Sequence, residues 1–157
     1  MGLIKFVAIP TEEARALQGG ERDAYGNPPE RLISDGDGVP CRHCLHNVQA
    51  GKPYLALAYR PFPHLQPYAE TGPIFLCAEE CARAEESDVM PEMFRASTEF
   101  LLRAYGYDDR ILYGTGAVTP KQLVCTHSHE LLQRPDVAYL HLRSGRYNCY
   151  QCRIERA

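Results

Sequence analysis

No stretch of this sequence stays apolar for the roughly 18 residues that a membrane helix needs. The opening MGLIKFVAIP is too short, and too soon ended by Pro10, for a secretory leader. A cytoplasmic protein with no membrane partner is the resulting expectation. Charge of one sign is scarce in excess as well: the net charge is −3 and the isoelectric point near 6.1, which argues against nucleic acid as a partner. No phosphate-binding glycine loop, catalytic nucleophile or carboxylate pair stands out, so catalytic residues are not assigned. What remains is a partner of unknown kind, a small molecule or a protein.

What is present is the balance of a folded chain. Hydrophobic residues make up 45% and charged residues 24% of 157, far from the signature of disorder and enough for one core, so 1–157 reads as a single domain. Within it, 1–31 holds a strand over Leu3–Ile9, a helix over Glu12–Leu17 capped by Thr11 and stopped at Gly19-Gly20, and the start of a long loop that runs to Pro40. The Asp35-Gly-Asp-Gly38 run in that loop fails as a calcium loop, because Val39, Pro40 and His46 occupy the positions that need an oxygen ligand, glycine and glutamate.

Further on, Tyr54–Tyr59 is apolar on both faces and predicts a central strand, with Ile74–Cys77 a second strand and Glu79–Glu86 a short helix. Thr98–Tyr105 and Ile111–Val118 read as a hairpin about Gly106–Arg110. Thr119-Pro120 predicts the start of a helix reaching Gln133, and Val137–Arg143 with Tyr147–Ile154 closes the chain as another hairpin. Hairpin-linked strands outnumber two or three helices, so the fold class is α+β with a mainly antiparallel sheet.

Seven cysteines in a reducing compartment read as thiols or metal ligands before disulfides. Cys41 and Cys44 form a C-x2-C pair, and Cys77 and Cys81 a second pair at an expected helix start. Four thiolates around one tetrahedral ion make zinc the candidate cofactor, in a knuckle–hairpin–helix order that resembles the treble-clef arrangement, although Leu45 stands where the knuckle glycine is usual. The plainer reading is small buried thiols, and a redox C-x-x-C is a third. Cys149 and Cys152 are a rival pair only if a bulge or turn interrupts their strand, since regular alternation sends them to opposite faces and keeps Cys152 beside Leu140 or Leu142. Cys125 and His129, four apart on the expected helix, share a face that more often packs than binds.

An alternative function, an enzyme for a small anionic or aromatic substrate, draws on the proline-rich 60–72 segment and the C-terminal hairpin. Its candidate binding residues are Arg60, Tyr68, Glu70, Arg103, His141 and Arg143, with arginine forks for an anion. On the first strand of the hairpin, Tyr139, His141 and Arg143 share one face and Leu140 and Leu142 the core face; the plainer reading makes the former a solvated face.

Pro-Cys41-Arg, Gly51 ahead of Tyr54-Leu-Ala-Leu, Pro67-Tyr68 with Gly72-Pro73-Ile-Phe, Leu102-Arg103-Ala-Tyr105, and Tyr139-Leu-His141-Leu-Arg143 with Cys149-Tyr-Gln-Cys152-Arg153-Ile-Glu-Arg156 together resemble the bacterial family catalogued as domain of unknown function 1203. The resemblance spans 32–157 and implies one compact bacterial, cytoplasmic domain. It implies no activity and supplies no catalytic residues.

Overall fold

Two antiparallel sheets carry the chain in the computed structural model, which describes residues 2–157. In chain order the elements are β1 (Ile4–Val7), α1 (Thr11–Gln18), β2 (Glu30–Ile33), β3 (Pro53–Tyr59), β4 (Gly72–Cys77), β5 (Glu99–Tyr105), β6 (Ala117–Pro120), α2 (Val124–Leu132), β7 (Tyr139–Ser144) and β8 (Tyr150–Arg156). Single 3-10 turns at Glu92–Phe94 and Lys121–Leu123 complete the set. The large sheet runs β1-β8-β7-β5-β6 and the small one β2-β3-β4. This is an α+β fold with two helices.

The main core lies between the large sheet and α2. Ile4, Phe6, Phe100, Leu102, Leu140, Leu142, Cys152 and Ile154 face Val124, Leu131 and Leu132. A second cluster joins the small sheet, through Leu55, Leu57, Ile74 and Leu76, to Ala14 of α1 and to Tyr150. Alternation in β3 puts Leu55 and Leu57 inward and leaves its other face half-buried, so the strand is central, as its composition predicts, but only one face is fully covered.

Several local expectations are corrected. The loop from Glu21 to Pro40 contains β2, an exposed edge strand with no apolar alternation to reveal it; it exists because β3 offers an unpaired edge. Thr11 is the first helical residue of α1 rather than its cap, Pro10 takes the cap position, and the Thr11 hydroxyl bonds His43 instead. The strand expected over Ile111–Val118 breaks at Tyr113–Gly116. There the Thr115 hydroxyl donates to the Leu112 carbonyl and accepts the Ala104 N–H, and pairing with β5 resumes in β6. Thr119 belongs to β6, so helix formation begins after Pro120.

No helix forms over Glu79–Glu86. Carbonyls that a helix would use internally accept side-chain donors from α1 instead: Arg15 on Cys81 at 2.8 Å, and Gln18 on Cys77 and Glu79 at 2.9 and 3.1 Å. The Ala84 N–H goes to the His43 carbonyl. Tertiary hydrogen bonds have outcompeted a helix too short to hold itself. The knuckle and hairpin of a treble clef are therefore present without the closing helix.

At the C-terminal hairpin, Leu142 pairs with Cys152 but Arg143 pairs with Tyr150, so Gln151 is an extra residue. The extra residue reverses alternation and turns Tyr150 to the face opposite Cys152 and Ile154, where a regular strand would put all three on one face. Cys152 sits beside Leu142 in the main core, where burial pushes its thiol up, and both Cys149 and Cys152 are free thiols. The face of Tyr139, His141 and Arg143 is not solvated. The 60–72 segment crosses it and places Phe62 5.0 Å from the His141 ring.

Candidate metal centre

Val39–Val48 folds back on itself in a tight knuckle. The Cys41 N–H donates to the His46 carbonyl, the Leu45 N–H to the Cys41 carbonyl at 2.9 Å, and the Val48 N–H to the Val39 carbonyl. Turning the chain this sharply requires a left-handed residue after Cys44, and Leu45 takes it at φ +60°. Its side chain, 4% exposed in the main core, offsets the backbone strain that glycine would avoid. Leu45→Ala should cost about 2–5 kcal/mol of stability, whereas Leu45→Gly should cost about 1 kcal/mol less than that because it relieves the positive φ. Denaturant unfolding of the two variants checks the order; an equal loss would mean the turn stores no strain.

Knuckle and β4 bring four sulfurs together. The Sγ atoms of Cys41, Cys44, Cys77 and Cys81 all lie within 4.8 Å of one another, with Cys41–Cys81 and Cys44–Cys77 at 3.9 Å. A tetrahedral ion with zinc–sulfur bonds of about 2.3 Å has sulfur–sulfur edges of about 3.8 Å. The two shorter edges match that length, and the group as a whole is close enough that it could chelate a metal. Cys41 is fully buried and the other three half-buried.

Hydrogen bonds from the Cys44, Cys77 and Cys81 thiols hold Cys41 well below the ordinary thiol range, while Cys77 and Cys81, facing that sulfur, are pushed up. A divalent ion held by Cys41, Cys44, Cys77 and Cys81 would remove this competition, since all four would then be thiolates.

The cluster has an outer layer that the sequence did not reveal. The Cys77 N–H points at the Cys41 sulfur at 3.3 Å. His43, fully buried between the two knuckle cysteines, places Nδ1 3.1 Å from the Cys81 sulfur and Nε2 2.9 Å from the Thr11 hydroxyl. With a metal bound, Cys81 would be a thiolate, which only accepts, so Nδ1 would carry the proton and Nε2 would accept from Thr11. Burial first, then the charges of Arg15 and Arg83, lower the His43 pKa and keep the ring neutral against the pull of Cys41. Position 43 inside the C-x2-C motif was a signal for such a role; nothing in the sequence tied α1 to it.

Arg42 explains why the knuckle matters to the fold. Its N–H donates to the Phe75 carbonyl of β4, its carbonyl accepts from Ile9 after β1, and its Nε donates to the Tyr150 carbonyl of β8 at 2.9 Å. One residue therefore joins both sheets. Burial lowers its pKa to about 10, which leaves the guanidinium charged at neutral pH.

The candidate binding residues divide into separate groups. Glu70 accepts Arg103 at 2.7 Å and lies 3.7 Å from Arg143, whose Nε and Nη2 are also held by Asn148. Tyr68 turns away to the Tyr113 hydroxyl and the Arg110 guanidinium. His141 is enclosed by Phe62, Tyr105, Tyr139 and Tyr150, and lines a cleft of about 410 Å³ that Arg60 also lines. Glu70 and Arg143 line a different cleft of about 250 Å³. On α2, Cys125 points toward the Asp88 carbonyl and His129 toward Gln133, so that pair is divided as well.

No curated protein and no solved structure matches the chain. The family model described as "Protein of unknown function (DUF1203)" matches residues 38–156, beginning just before the knuckle and running through β8. That match takes in all four clustered cysteines and most of the chain, and the protein belongs to the DUF1203 family.

Proposed function

We propose that the protein is a binding or structural domain in which Cys41, Cys44, Cys77 and Cys81 hold a zinc ion that fastens the small sheet to the large one. The observation that carries this reading is the mutual approach of four sulfurs, from two distant stretches of chain, to within 4.8 Å of one another, with two pairs at 3.9 Å, near the edge of a zinc–thiolate tetrahedron. Four protein ligands close the coordination sphere, so the ion would organise structure and leave no position for a substrate. Reduced cysteines are what a cytoplasmic setting supplies.

Cobalt(II) replacement tests the geometry, because four-thiolate tetrahedral cobalt absorbs in the visible and produces sulfur-to-metal charge transfer. Protein purified without added zinc should carry close to one ion per chain, and cobalt should enter with that spectrum; an octahedral cobalt spectrum would exclude the site. His43→Phe should weaken zinc binding about 10–100-fold in competition with a colorimetric chelator, by removing the donor to the Cys81 sulfur. Unchanged affinity would reduce His43 to packing.

A further inference from the structure

The four clustered sulfurs belong to two stretches of chain, and both sulfur contacts of 3.9 Å cross from one stretch to the other: Cys44 with Cys77, and Cys41 with Cys81. Sequence spacing alone suggests different partners, since a redox C-x2-C joins its own two cysteines. Backbone pairing accounts for the difference. The knuckle lies along β4, with Cys41 bridged to Phe75, the Arg42 N–H on the Phe75 carbonyl, and the Cys77 N–H on the Cys41 sulfur. Closing Cys77 on Cys81 would have to move two points that α1 grips, since Gln18 holds the Cys77 carbonyl at 2.9 Å and Arg15 the Cys81 carbonyl at 2.8 Å. Cys44 and Cys77 start from a contact already made.

The two crossing pairs differ in access. Cys41 is fully buried, whereas Cys44, Cys77 and Cys81 are half-buried, so only the Cys44–Cys77 pair has both members outside the sealed interior. Cys44 also forms part of the wall of an open cleft of about 610 Å³. Susceptibility of cysteine to oxidation follows thiolate character and exposure, and a zinc-held pair supplies the first while this position supplies the second.

We propose that Cys44 and Cys77 form a redox modification site, which a hydroperoxide oxidises to a disulfide that expels the zinc ion yet keeps the knuckle fastened to β4. One thiolate of the pair attacks hydrogen peroxide: a sulfur–oxygen bond forms, the oxygen–oxygen bond breaks, and the departing hydroxide takes a proton from solvent to leave as water. The second thiolate attacks that sulfenic sulfur. The sulfur–sulfur bond forms, the sulfur–oxygen bond breaks, and a second hydroxide leaves as water with a second proton. Two electrons have passed from two sulfurs to one peroxide. The ion, left with two of its four ligands, dissociates. The disulfide joins residues 33 apart in sequence and spans the same two stretches that the ion spanned, so the fastening outlasts the metal. Expulsion of zinc rests on the metal reading above; the choice of sulfur partners rests on the contacts alone.

Treating the zinc-loaded protein with hydrogen peroxide tests the assignment, with released zinc read by a colorimetric chelator and disulfides mapped by peptide mass spectrometry after the free thiols are alkylated. Release of about one ion per chain is expected, with Cys44–Cys77 at least about tenfold more abundant than Cys41–Cys44 or Cys77–Cys81 among the first products. Dithiothreitol and zinc should restore the starting protein. Cys125→Ser and Cys149→Ser together should change none of this, since both residues lie outside the cluster. The oxidised protein should melt about 5 °C or more above the reduced, zinc-free protein. A disulfide within either motif as the main first product, zinc retained in about tenfold excess of peroxide, or a melting temperature no higher than that of the reduced, zinc-free protein overturns the proposal. Should the purified protein hold no zinc, the metal reading fails, and the disulfide map of the metal-free protein still decides the pairing.

Discussion

On the zinc reading, Cys41→Ser should abolish metal binding and lower stability by about 4 kcal/mol or more, among the largest losses a single substitution brings. For a chain of this size that corresponds to a fall of about 8–16 °C in melting temperature. The magnitude follows from where the cluster sits. Cys41 is fully buried beside Arg42, whose hydrogen bonds join β4, β8 and the end of β1, so loosening the knuckle releases the seam between the sheets. Arg42 itself would then be a buried charge losing partners, a second cost on top of the lost ligand. Cys149→Ser, outside the cluster, should leave metal and stability nearly unchanged. Metal analysis and calorimetry of the two variants measure both halves. The zinc reading fails if the parent protein carries less than about a tenth of an ion per chain, while all seven thiols react freely in native buffer.

Ending the chain after Tyr147 should unfold the domain altogether. β8 lies inside the large sheet with β1 on one side and β7 on the other, so its loss turns two paired strands into open edges. It also removes Cys152 and Ile154 from the main core, Tyr150 from the second cluster, and the carbonyl that accepts Arg42. Burying Tyr150 and Ile154 is worth about 1.5–3 kcal/mol each, and with the lost ladder this approaches the 5–15 kcal/mol typical of a whole domain. Circular dichroism and a thermal melt of the truncated chain provide the measurement. A soluble product with a cooperative transition would mean that the large sheet can close without β8.

The antiparallel class and most of the strands were readable because hairpin periodicity is a local property. Ile74–Cys77, Thr98–Tyr105 and the C-terminal hairpin all carry their pattern within a few residues. The cysteine pairs were readable for the same reason, since C-x2-C and C-x3-C are short-range spacings. The missing knuckle glycine misled, because Leu45 adopts the left-handed turn and is held there by burial in a core assembled from distant strands. The helix at Glu79–Glu86 misled in the opposite sense: composition favoured it, and donors from α1, more than 55 residues earlier, took its carbonyls. The bulge at Gln151 carries no sequence mark, yet it alone decides that Tyr150 faces His141 rather than Leu142.

By itself the sequence determined the α+β class and the antiparallel pairing, and marked two close cysteine pairs as candidates, since each rests on spacings of two to four residues that backbone geometry turns directly into faces and turns. Only the tertiary structure decided that the two cysteine pairs converge, that Arg42 links the sheets through them, and that the 60–72 segment closes over His141 while leaving its nitrogens without partners. Those outcomes depend on contacts between stretches tens of residues apart, where the competition among burial, hydrogen bonding and chain entropy is settled by the whole fold.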